Sequence, residues 1–234
     1  MIPPAPKVPF IGREPLLRRL HAAMRSGNHV LLVGPAGAGK TTLVREVGRT
    51  FPMLLANECN CLGDFLGDLE AQAGLASGDQ KIAARVHRAA TELPKVGRVL
   101  VMDNVGRVPP RVAHLVRVLL SRQTVWLVVR STAPLDLGHV WPYLFFFKRV
   151  DVPPFTVDET RAFLAAVEFE RDRDELLAST KRLHRLAAGH PGTLAALVAE
   201  LRCRTYDLRT AEGLRLLALH ARISLVESQL AATS

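Results

Sequence analysis

The sequence predicts an α/β fold: five parallel strands alternating with helices, followed by a smaller, wholly helical domain. Three observations carry this. Strand-like runs at 29–33, 53–57, 98–104 and 124–129, and a short last strand at 148–152, are separated by stretches with helical spacing of apolar residues. Such alternation implies a parallel sheet with helical crossovers. The first run leads straight into a glycine-rich loop and then an amphipathic segment, so strand, loop and helix follow in order. Beyond Pro153-Pro154 only helical periodicity is found. The division expected is an extended arm at 1–9, a core at 10–153 and a helical domain at 154–234.

In chain order, the Pro-rich start reads as an extended arm. Phe10-Ile11-Gly12-Arg13-Glu14 follows. Apolar positions 16, 17, 20, 23 and 24 then make one helical face, ended by Gly27-Asn28. The helix after the glycine loop runs to about Thr50. Helices at 62–75 and 80–93 are broken at 74–78 by glycine. The third strand ends in an acid, Asp103. A helix at 111–120 leads to the fourth strand, whose end is marked by Arg130. In the helical part, Thr156 with Glu159 three residues on signals a helix start. A second helix, 172–188, stops at Gly189. A third begins at Pro191, where the missing N–H costs nothing, and runs to about Cys203. A fourth spans about 212–229. No internal repeat and no heptad array is read.

The loop is Gly34-Pro35-Ala36-Gly37-Ala38-Gly39-Lys40-Thr41, of the form G-x-x-x-x-G-K-[ST], with Thr42 next. Its glycines let backbone N–H groups close around phosphate oxygens, because no Cβ blocks the approach. A helix starting near Lys40 aims its free N–H groups and positive dipole end at the same anion. Lys40 reaches the β and γ phosphates, and the Thr41 hydroxyl is a Mg²⁺ ligand. Asp103, at a strand end downstream of such a loop, is placed to hold the Mg²⁺ shell beside the nucleotide. ATP and Mg²⁺ are therefore the cofactors expected.

Composition bounds the rest. With 234 residues, 48% of them hydrophobic, the chain can build a packed core. No apolar run approaches a membrane span, and the start lacks the apolar centre of a signal peptide. A cytoplasmic protein without membrane association is expected. Cys59, Cys61 and Cys203 are too few and too oddly placed for a disulfide framework, and read as reduced thiols. The formal net charge is +9. Between 98 and 149, Arg98, Arg107, Arg111, Arg117, Arg122, Arg130, Lys148 and Arg149 face only Asp103 and Asp136. That excess fits a polyanionic partner, most simply DNA held non-specifically through its phosphates. It equally fits an Arg-rich composition at ordinary surface sites.

The Phe10–Glu14 segment, the glycine loop, the Asp103 strand and Gly189-His190-Pro191-Gly192 together resemble AAA+ P-loop ATPases. The likeness is greatest to the signal-transduction (STAND) type and to the Orc/Cdc6-like and transposition-regulator ATPases, and it covers about residues 8–203. It implies a P-loop NTPase core with a helical lid domain. By the same resemblance Ile11, Gly12 and Arg13 lie on the adenine and ribose side. His190 and Pro191 open a lid helix near the nucleotide, although Gly-His-Pro is also ordinary helix punctuation. Arg130 stands where the family senses the γ-phosphate. Arg149, with Lys148 just before the last strand, stands where the family places an arginine finger for a neighbouring subunit. A basic pair guarding a sheet edge is the other reading of those two residues. Arg182, His184 and Arg185, before the lid helix, read as a solvated face. Asn104 departs from the family, in which many members place Glu to polarise the attacking water. An amide orients water but does not accept its proton, so slow hydrolysis is implied.

Three functions remain open from sequence: an ATPase that assembles with ATP and acts on DNA, a signalling switch that recruits a protein partner, and an adaptor with a fixed nucleotide. No base-reading module or aromatic stacking platform is read.

Overall fold

A computed structural model describes residues 10–57, 59–75, 81–167, 169 and 173–231. The expected arm at 1–9, and the parts of the expected elements that fall on 76–80 and on 172, lie outside the described residues. The chain forms two compact units. One takes Glu14–Pro35 and Lys40–Val152; the other takes the described residues up to Arg13, together with Ala36–Gly39 and the chain from Pro153 onward.

The first unit is the predicted five-stranded parallel sheet. Its strands are β1 (Val30–Val33), β2 (Met53–Ala56), β3 (Val99–Val105), β4 (Val125–Val129) and β5 (Lys148–Asp151). The spatial order is β2-β3-β4-β1-β5, every pairing parallel. Strands covered on both faces must be apolar throughout, and β1 and β4 are buried at every position. In β5, on the edge, only Val150 is buried. Helices α1 (Glu14–Arg25), α2 (Lys40–Gly48), α3 (Leu62–Ala73), α4 (Ile82–Glu92), α5 (Pro110–Leu120) and the single turn α6 (Pro134–Leu137) supply the connections. Phe65, Leu69, Leu100, Met102, Val116, Leu127 and their neighbours make a core on one face. Between α3 and α4, fully buried Glu70 is held by Arg85 and Arg88, each at 2.8 Å.

Two expectations about this unit need correction. Asp103 does not end its strand, which continues to Val105. The pairing shifts between Met102↔Leu127 and Val105↔Val129, leaving one extra residue in β3. That is a β-bulge, and within it Asn104 stands in the left-handed region at φ 52°. Lys148 and Arg149 lie inside β5 rather than before it, because Lys148 N–H already donates to His29 O at 2.9 Å beside β1.

The second unit is helical: α7 (Val157–Ala166), α8 (Arg173–Ala178), α9 (Thr180–Ala187), α10 (Pro191–Cys203) and α11 (Ala211–Ala231). Phe163, Leu164, Leu183, Leu194, Leu197, Val198 and Leu217 are its core. Thr156 and Glu159 form the expected capping box. The single helix expected over 172–188 is instead two. Ser179 N–H is shared between Glu175 O and Leu176 O, and Thr180 Oγ1 donates to Leu177 O at 2.6 Å. Those short-range bonds tighten the turn and break the α ladder. Helix α9 ends in a left-handed Ala188–Gly189 pair. A Cβ on Gly189 would stand 2.6 Å from Phe155 O, so only glycine fits there. Arg182 and Arg185 are exposed, but His184 is not part of a solvated face; its Nδ1 is hydrogen-bonded to Thr160 Oγ1 at 2.9 Å.

Candidate functional site: a phosphate-binding loop

The strand order builds this site. Strands β3, β4 and β1 are consecutive neighbours, so their carboxyl ends deliver Asp103, Arg130 and the glycine loop side by side. That is the carboxyl rim where open α/β sheets bind ligands.

Each side chain is held by local structure. Gly37 and Gly39 have φ of 74° and 86°, conformations that L side chains rarely adopt. They turn the chain between β1 and α2. Lys40 opens that helix and is 8% exposed. Its Nζ donates to Gly34 O at 2.6 Å and to Pro35 O at 2.8 Å. Among the described residues Lys40 makes no ion pair, so a buried ammonium sits on neutral carbonyls at a helix amino end. Burial lowers its pKa; the Arg130 guanidinium lowers it further, and Asp103 opposes both. Lys40 thus feels the charge of Arg130, 90 positions further on, and of Asp103. Asp103 is 4% exposed, and its Oδ1 accepts the N–H of Asn104 at 2.8 Å. Thr41 is half-buried, Thr42 exposed, and Asn104 and Arg130 exposed.

This arrangement fits a polyphosphate with a divalent cation. A helix amino end and an ammonium answer phosphate oxygens. A hydroxyl and a carboxylate, Thr41 and Asp103, are hard oxygen ligands suited to Mg²⁺.

The other expected residues fall in the helical unit, apart from Arg149 in β5. Ile11, Gly12 and Arg13 belong to the helical unit. Arg13 is buried with φ 140°, its guanidinium 4.8 Å from the Phe155 ring centroid. Burial lowers its pKa, and the nearby Glu159 carboxylate works against that. A Cβ on Gly12 would stand 2.9 Å from Glu159 Cγ. His190 is the N-cap position of α10 and Pro191 its first residue, and among the described residues the buried His190 Nδ1 has no hydrogen-bond partner. Sequence reasoning assigned no role to Gly192. Its N–H donates to Gly37 O at 2.9 Å within the helical unit, and a Cβ there would meet Gly37 Cα at 2.9 Å. The glycine after Pro191 was the available signal. Arg149 is exposed and chelates the Asp151 carboxylate through Nε and Nη2 at 2.8–3.1 Å, which holds its pKa above the ordinary range. Cys59 is a buried free thiol, pushed up to about 12 by desolvation first and by Asp103 and Asp68 next. Cys61 and Cys203 are exposed.

Fold and loop together define a P-loop nucleotide-binding α/β protein with a helical second unit. The AAA ATPase domain family matches residues 9–130, more than half of the chain, and the chain belongs to that family. Nucleotide binding is therefore a property of the chain's class. No curated protein matches in sequence.

Solved structures share the fold. The Orc1 protein of Aeropyrum pernix, determined in complex with DNA, is similar with a TM-score of 0.64 at 17% identity, over 93% of this chain and 66% of that one. A Walker-type ATPase of Pyrococcus abyssi gives 0.67 at 16% identity, over 99% and 79%. A STAND protein with a tetratricopeptide repeat sensor from Pyrococcus horikoshii gives 0.51 at 19% identity, over 93% and 33%. The chain thus spans just under two thirds of the first and one third of the last. No described helix is long and apolar enough to cross a membrane.

Proposed function

We propose that this chain is an ATPase module in which Mg-ATP binding and slow hydrolysis control self-assembly and action on DNA. Residues 10–153 serve as its ATPase core and 154–234 as the helical lid domain of the family. The observation that carries the nucleotide reading is the buried Lys40 ammonium at the amino end of α2, hydrogen-bonded to Gly34 O and Pro35 O, with Asp103 on β3 and Arg130 directly after the neighbouring strand β4. In this reading the backbone of residues 34–41 and Thr42 receives the phosphates, and Lys40 neutralises them. Thr41 and Asp103 hold Mg²⁺, which when bound neutralises charge on the phosphate oxygens. Arg130 faces the outer phosphate. Ile11, Gly12 and Arg13 serve the base side, and His190 and Pro191 the lid.

Turnover is slow because Asn104 offers an amide where a carboxylate base is usual. Arg149 completes a neighbouring subunit's site, by bidentate contact of the kind guanidinium makes; its pair with Asp151 must then open. The charge of +9 and the basic segment 98–149 favour DNA as the polyanion, gripped through phosphates. Asn104 also favours a second reading, a switch that holds ATP and recruits a protein partner without DNA.

Duplex binding measured by fluorescence anisotropy with ADP, ATP and a slowly hydrolysed ATP analogue, across a salt series, separates the two. DNA action predicts binding that needs the triphosphate and falls steeply with salt. Arg149→Ala should leave ATP affinity intact while lowering turnover and ATP-induced assembly in light scattering. An assembly state that does not change with nucleotide, in a chain that ignores DNA in every nucleotide state, sinks the assembly reading and leaves the switch.

A further inference from the structure

Helix α11 is apolar on two opposite sides. One side packs into the helical unit through fully buried Leu217 and Ala221. The other presents Leu216, Leu219, Ile223 and Val226 at 46%, 54%, 47% and 54% exposure. Their spacing of three, four and three residues is that of alternating a and d positions in a coiled-coil seam, and Leu230 continues it in the sequence. A helix that is apolar on a second face has a second partner, and four large apolar side chains in one stripe form more than scattered surface residues.

The charges beside the seam identify that partner. With Leu216 and Ile223 at a, Arg215 and Arg222 fall at g, and His220 and Glu227 at e. In a parallel pair a g residue faces the e residue five positions on in the other helix. Arg222 of one copy then meets Glu227 of the other, twice by symmetry. In an antiparallel pair the g flanks meet each other, setting Arg215 and Arg222 against their own kind. Among the described residues neither Arg222 nor Glu227 is committed to an ion pair within the chain.

We infer that α11 is a dimerisation helix, pairing parallel with α11 of a second copy through Leu216, Leu219, Ile223 and Val226. So short a seam is marginal between free peptides, but here the helix is already fixed. Ser224 Oγ donates to Glu200 Oε1 at 2.5 Å, and His220 Nδ1 is hydrogen-bonded to Tyr206 Oη at 2.7 Å. The ordering cost of association is reduced accordingly. This contact uses none of the nucleotide residues, so it forms without ATP and survives their loss.

Sedimentation velocity of the full chain without nucleotide tests it. The wild type and Lys40→Ala should both be dimers. Leu219→Glu with Ile223→Glu should be a monomer with unchanged helix content by circular dichroism. Arg222→Glu alone and Glu227→Arg alone should each weaken the dimer, and the two together should restore it. A monomeric wild type, a dimer indifferent to the seam, or a dimer strengthened by Arg222→Glu overturns the proposal. Failure of nucleotide binding would leave it untouched.

Discussion

Replacing Lys40 with methionine separates what that residue does for the ligand from what it does for the fold. Methionine keeps length, flexibility and helix propensity, and removes the charge and the donors to Gly34 O and Pro35 O. On the fold side two effects oppose. The loop carbonyls lose a donor, at about 1–3 kcal/mol for a buried acceptor, while a desolvated ammonium leaves the interior, which is favourable. The net change in stability is expected to stay within about 1 kcal/mol. On the ligand side nothing compensates. A hydrogen bond from a charged donor to phosphate is worth about 1.5–3 kcal/mol, so ATP affinity should fall roughly 10- to 150-fold. Titration calorimetry with urea unfolding on the same preparations reads both. The lowered pKa of Lys40 adds a sign. A lysine that binds protons less well folded than unfolded makes stability rise with pH between its folded pKa and its ordinary value of 10.5. ATP affinity should fall over that same window as the ammonium is lost, and both trends should vanish in the variant. Unchanged affinity in a folded Lys40→Met protein would refute the site. A large loss of stability with normal affinity would make the lysine structural.

Two further outcomes are expected. Asn104 stands at φ 52°, tolerable for Asn or Gly but costing about 1 kcal/mol or more for other residues. Asn104→Gly should therefore be near neutral in urea unfolding and Asn104→Val clearly destabilising, while Asn104→Glu should lose some stability yet raise phosphate release by supplying a base. Glu70→Gln should destabilise by about 3 kcal/mol, because Arg85 and Arg88 lose a buried anion. Burial alone would raise the Glu70 pKa, but both arginines outweigh it and leave it lowered. Its stabilisation is thus present above the unfolded carboxylate range and lost as pH falls through the lowered value, a dependence the variant should lack.

Sequence alone determined the features that depend on neighbouring residues. The Gly37 and Gly39 conformations, the helix opening at Lys40, the Thr156–Glu159 box and the start of α10 at Pro191 all arise from residues within a few positions of one another. The alternation of four apolar runs and one short mixed run with amphipathic segments sufficed for the parallel sheet. Tertiary structure decided everything that rests on which strands are neighbours. Arg130 acts on Lys40 only because β4 lies between β1 and β3. The bulge at Asn104 exists only because β3 pairs against β4 with one residue to spare. In sequence, Arg149 looked available; in the edge strand it meets Asp151 two residues on, on the same side. Periodicity also said nothing about α11, where the residues of the exposed stripe and those of the buried one are equally apolar. Only the packing of Leu217 and Ala221 into the unit reveals which stripe is left over. Hydrophobicity records that a side chain leaves water, and the fold decides what it meets there.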